Sequence, residues 1–199
     1  IEYATLELAR KCGLNVCATR IEPVGGRDVL MLRRFDRQHT NEGGYLRSGL
    51  VSGLTMLGID DDPVNREGWS YPLLADQLRR WSERPDRECA ELFRRMVFNA
   101  AVNNNDDHPR NHAAIRLGRG WHLSPAYDLV PLPAVAMDNR FLAMEIGRYG
   151  RTASLYNLLS QCERFGLNKK RAREAIDVIV NVVRDWREHF HACGVLAQD

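Results

Sequence analysis

Lysine is nearly absent from this chain. Of 28 basic residues among 199, only Lys11, Lys169 and Lys170 are lysine, and no lysine stands on a predicted strand. Long apolar runs are absent too. Nothing approaches the roughly 18 residues a membrane-spanning helix needs. The expectation is a cytoplasmic protein with no secretory leader and no membrane partner. Cysteine is sparse and unpaired: Cys12, Cys17, Cys89, Cys162 and Cys193 are odd in number. That fits small buried thiols in a reducing compartment better than a disulfide framework. Cys12 and Cys17 would make half of a zinc site, but no second pair follows at ligand spacing. Net charge is small, +2 at pH 7, which implies no general attraction to nucleic acid. There is no internal repeat and no low-complexity tract.

What is present is enough for a sizeable core. Hydrophobic residues make up 44% of the chain, in one large domain or two small ones. The apolar spacing of Tyr3, Leu6, Leu8 and Ala9 predicts a helix over 2–12, ended at Gly13. Residues 15–22 and 29–32 read as two strands joined by a Gly25-Gly26 turn. Residues 36–69 read as mostly loop with short helical pieces. Ser70 is placed to cap a helix through Trp81, with Pro72 in its first turn. Pro85-Asp86 opens another helix, apolar nearly all round toward its end and so expected at the centre. Residues 113–117 and 121–123 flank a glycine turn and predict a second hairpin. Pro125, Pro131 and Pro133 keep the next stretch in a loop. Ser154 and Asn168 cap the last two predicted helices, the first ending at Gly166 and the second reaching Trp186. The fold class expected is α+β and mostly helical, with a small N-terminal hairpin and a short hairpin beside a polar loop.

That polar loop carries the chemistry. Asn105-Asp106-Asp107-His108-Pro109-Arg110-Asn111 is followed, after the second predicted hairpin, by Ser124-Pro125-Ala126-Tyr127-Asp128. Asn and Asp favour turns, so a helix-ending loop is one reading. The other is a site. A hairpin brings its ends together, so Asn111 and Asp128 can converge on one ion while Asp106 orients a hydroxyl or takes its proton. An amide oxygen and a carboxylate are hard ligands of the kind Mg²⁺ prefers. Asp107 is expected to face solvent, because neighbours in an extended loop point apart.

The pattern Asn-x-Asp-x-His-x-x-Asn, then Leu-Ser-Pro-Ala-Tyr-Asp-Leu, resembles the catalytic segment of the HipA-like serine/threonine kinases, toxins of bacterial toxin–antitoxin pairs. Leu32-Arg33-Arg34-Phe35-Asp36-Arg37 resembles that family's hinge, and the helix at Glu2 resembles the one before it. The resemblance covers essentially the whole chain. It implies a kinase C-lobe-like domain using ATP and Mg²⁺ to phosphorylate a protein substrate. Asp106 would be the catalytic base, and Asn111 and Asp128 the Mg²⁺ ligands. Arg33, Arg34 and Phe35 would line the nucleotide through backbone and ring contacts, with Arg110 and Tyr127 also at the cofactor. His108 would lie by the phosphates or shape the loop. Residues 1–37 would be a remnant of the N-lobe side, and 38–199 the helical domain.

Two departures qualify this. Arg33 stands where the family usually has Glu, and the family's phosphate loop and strand lysine are not in this sequence. The expectation is a fragment with little kinase activity alone. The competing reading is a non-catalytic module binding a helix-turn-helix antitoxin, and DNA only through that complex, with Arg148 and Arg151 as a basic cluster. A metal-dependent hydrolase ranks last, since the loop offers too few ion ligands.

Overall fold

The computed structural model describes residues 1–132 and 140–196, so the expectation at Pro133 lies outside the described residues. Helix α1 (Glu2–Lys11) buries Ala4, Leu6, Leu8 and Ala9, and Gly13 turns the chain at φ 79°. Strands β1 (Thr19–Val24) and β2 (Arg27–Leu32) form an antiparallel hairpin in register Thr19 to Leu32. The first strand starts later than the sequence suggests. Val16 instead bridges to Ala126, because the chain before Thr19 lies along the 124–128 segment.

The stretch expected to be loop holds three short strands and a helix. These are β3 (Arg37–His39), β4 (Tyr45–Arg47), β5 (Leu50–Ser52) and α2 (Gly53–Leu57). Strands of three residues carry no readable alternation, which is why the pattern hid them. Strand β5 adds an edge to the expected hairpin of β6 (Ala113–Leu117) and β7 (Gly120–Leu123), giving the order β5-β6-β7.

Helix α3 (Tyr71–Trp81) starts where Ser70 accepts a bond from the Leu73 amide. Helix α4 (Pro85–Val102) is the centre: Leu92, Phe93, Met96, Val97 and Phe98 are all essentially without solvent contact. Burying each such side chain contributes about 1.5–3 kcal/mol. Its end is marked by Asn103 in a left-handed conformation at φ 59°, a position that Asn tolerates. Beyond it, α5 (Leu155–Ser160) is capped by Ser154 but breaks into a 3-10 turn over Cys162–Phe165. Asn168 caps α6 (Lys169–Val183), and α7 (Trp186–Ala192) is a separate helix rather than the continuation expected. The basic pair Lys169-Lys170 is thus the first turn of α6. Buried faces of α1, α3, α4 and α6 share one core, so the mostly helical α+β class holds.

The candidate catalytic loop and its groove

The loop after α4 has an inward and an outward side. Asp107 is buried to 1% exposure, which corrects the expectation that it faces solvent. Its Oδ2 accepts from the Tyr71 hydroxyl, from Asn99 Nδ2 at 2.7 Å and from His112 Nε2 at 2.8 Å. Burial would raise the Asp107 carboxyl, but the His112 ring and these donors outweigh it and hold it below the usual range. Asn104 points the same way and donates to Asn99 Oδ1 at 3.1 Å. Asp106 and Asp107 do point apart, as expected, but Asp107 turns into the core rather than to solvent. The signal for this lay in Tyr71, Asn99 and His112, which are distant in sequence and become neighbours only in the fold.

The outward side carries Asp106. It is exposed and lines a groove of about 300 Å³ with Arg66, Asn105, Phe141 and Arg151. Gly53 helps seat the loop. A Cβ there would meet the Pro109 carbonyl at 2.6 Å and the His112 carbonyl at 3.3 Å, so only glycine lets α2 approach this closely. Arg110 is ion-paired to Asp61.

The second segment is anchored from below. Arg95, at 1% exposure, donates to the Ser124 carbonyl at 2.7 Å and pairs with Glu91 at 3.2 Å. The Ala126 amide donates to the Asn15 carbonyl at 2.7 Å. Tyr127 then ties the two halves together, its hydroxyl donating to the Arg110 carbonyl at 2.8 Å. Burial pushes the Tyr127 phenol up to about 12, so it stays a donor. Its ring stacks on Phe35 at 5.7 Å, which joins the segment after β2 to the same assembly. Asp128 follows at φ 57°, a left-handed conformation that Asp, like Asn, adopts more readily than other non-glycine residues.

Asn111 and Asp128 have oxygens free for an ion. Neither side chain hydrogen-bonds within the described residues, and Asp128 is exposed. This donor set fits Mg²⁺, a cation that keeps several waters and takes one or two protein oxygens. Glu2 went unnoticed in the sequence. Its carboxyl is raised mainly by burial and secondly by the charge of Asp128, so the two acids feel one another.

The other expected residues are less converged. Arg34 is held by Asp36 through two bonds of 2.8 and 2.7 Å. Arg33 and Arg34 line a separate cavity of about 380 Å³ with Arg37, His39 and Tyr45. Among the described residues, none borders both cavities. His108 sits edge-on to Trp69 at 6.3 Å, with its Nδ1 buried and unpartnered.

Known proteins share this fold. The HipA-like C-terminal domain matches residues 1–186. The serine/threonine-protein kinase toxin HipA of Shewanella oneidensis is 28% identical over 159 residues, covering 73% of this chain and 36% of that protein. A solved structure of Shewanella oneidensis HipA with HipB and operator DNA superposes with a TM-score of 0.81 at 23% identity, over 100% of this chain and 50% of that one. The Helicobacter pylori proinflammatory kinase CtkA gives 0.63 at 14% identity, over 99% and 73%. The chain thus spans about a third of the curated HipA it matches and half of the solved one. With the family's domain running through all but its last residues, this chain belongs to the HipA-like C-terminal domain family.

Proposed function

We propose that this chain carries the catalytic loop of a protein serine/threonine kinase that uses Mg²⁺ and ATP. The observation that supports it most is the split loop: Asp106 open to a groove, while Asp107 beside it is locked into the core. Asp106 would accept the proton of an acceptor hydroxyl or orient it. Asn111 and Asp128 would hold Mg²⁺, which supplies charge neutralisation for the phosphates. Tyr127 would fix the distance between those two ligands through its bond to residue 110. Arg33, Arg34 and Phe35 would meet the nucleotide, with His108 and Arg110 nearer the phosphates. Residues 1–37 would form the side that faces a nucleotide-binding lobe, and 38–199 the catalytic domain.

The sequence has no glycine-rich phosphate loop, and its lysines lie on α1 and at the start of α6. Phosphoryl transfer by this chain alone would therefore be weak. A toxin role, a cytoplasmic site of action and a helix-turn-helix antitoxin partner are part of the same reading. They draw on the relative that was solved with HipB and operator DNA, and DNA contact would come only through such a complex. No helix among the described residues is long and apolar enough to cross a membrane.

Calorimetry tests the reading. Mg²⁺ should strengthen ATP binding to this chain, and Asp128→Asn should remove the Mg²⁺-dependent part. Nucleotide binding that ignores both Mg²⁺ and Asp128 would leave only the antitoxin-binding module.

A further inference from the structure

The groove beside Asp106 has a charge that no carboxylate among the described residues neutralises. Arg151 lines it, is exposed, and pairs with no carboxylate among the described residues. Asp106 lines it as well, yet the two do not form an ion pair. Arg151 is not a loose surface residue. The Leu142 amide donates to its carbonyl at 3.0 Å. Asn157, fully buried, donates to the carbonyls on either side of it, Gly150 at 2.9 Å and Thr152 at 3.0 Å. A buried amide thus fixes the backbone that carries this guanidinium. Arg66 also lines the groove and its side chain is held, by the Pro63 carbonyl at 2.8 Å and over the Trp69 ring at 5.7 Å. Phe141, a third lining residue, is 46% exposed.

A cation on a held backbone, an apolar ring and a carboxylate open to solvent describe a peptide site. We propose that this groove takes the acceptor segment of the protein substrate. Arg151 selects an acidic side chain next to the serine or threonine presented to Asp106, and Phe141 packs against an apolar neighbour. Arg66 adds to the positive field of the groove. Arginine suits the task because its planar fork bonds a carboxylate through two parallel donors. Repulsion by Asp106 of a misplaced acid would set the register, since like charges brought together cost affinity. The proposal rests on the kinase reading and adds a substrate class to it.

Fluorescence anisotropy on the 199-residue chain tests it, using short labelled peptides with a central serine and one leucine, flanked by glutamate, glutamine or lysine. The glutamate peptide should bind about tenfold tighter than the glutamine one, the gain of one charge-assisted contact. The lysine peptide should bind weakest. Arg151→Met should close the gap, Arg151→Glu should reverse the preference toward lysine, and Phe141→Ala should weaken all three peptides alike. Equal affinities, no binding by any peptide, or a gap that survives Arg151→Met would overturn the proposal. The Mg²⁺–ATP calorimetry keeps the two readings apart. An acid preference without nucleotide binding upholds the groove and removes the kinase. Nucleotide binding without an acid preference removes the groove alone.

Discussion

Asp106 and Asp107 are the same residue type, one bond apart, and live in opposite surroundings. Asp107 is sealed under the loop with Tyr71, Asn99 and His112, so its carboxylate holds α3, α4 and the residue before β6 together. Asp106 has no such partners and borders solvent. The difference teaches that this loop divides its work by direction: Asn104 and Asp107 go to the fold, Asn105 and Asp106 to the groove. Changes on the two sides should therefore fail in different ways.

The largest expected contrast is kinetic. Asp106→Asn should lower any phosphoryl transfer by about 10²–10⁴-fold. It should shift stability by no more than about 0.5 kcal/mol in urea denaturation, as an exposed change does. Asp107→Ala should do the reverse first and cost about 3 kcal/mol of stability, because it leaves buried donors unpaired. If the two variants lost equal stability, the division of the loop would be wrong.

Acid sharpens the same contrast. A carboxyl held below its ordinary value contributes stability that is complete above that value and is lost as pH falls through the lower, folded one. Asp107 is such a group, and Glu91 is another: burial raises it, but Arg95 and Arg94 outweigh burial. The unfolding midpoint should hold steady from neutral pH down to about 5 and fall below about 4. Asp107→Asn should be less stable throughout and show a shallower acid fall; an unchanged slope would mean Asp107 is not the group responsible.

The smallest effect is expected at the tie between the two segments. Tyr127→Phe keeps the stack on Phe35 and removes one hydrogen bond, worth about 1 kcal/mol. Mg²⁺-dependent nucleotide binding should weaken about fivefold by calorimetry, with circular dichroism unchanged. A loss no larger than that of a distant surface variant would show the tie to be idle.

Long elements with clear end signals were legible in the sequence. Ser70 and Asn168 cap helices as read, α4 is the buried centre, and the 113–123 hairpin is where its turn puts it. The three-residue strands β3, β4 and β5 were not, since so short a run has no period. The break at residues 184–185 was missed for the opposite reason, as apolar spacing continues through it to Trp186. In the site, the acids and amide stood out because they are close in sequence. The direction of Asp107 did not, because its partners come from α3, α4 and the residue just before β6. Glu2 did not either, for its relation to Asp128 spans most of the chain.

Paramagnetic broadening by Mn²⁺, a stand-in for Mg²⁺, tests the central claim most directly. Amide signals of the chain are followed by NMR as Mn²⁺ is added. Those of residues 110–112 and 127–129 should broaden first and together, and Asp128→Asn should abolish the effect. Broadening centred on the acidic run Asp60–Asp62, or spread evenly over surface carboxylates, would contradict a shared ion at Asn111 and Asp128.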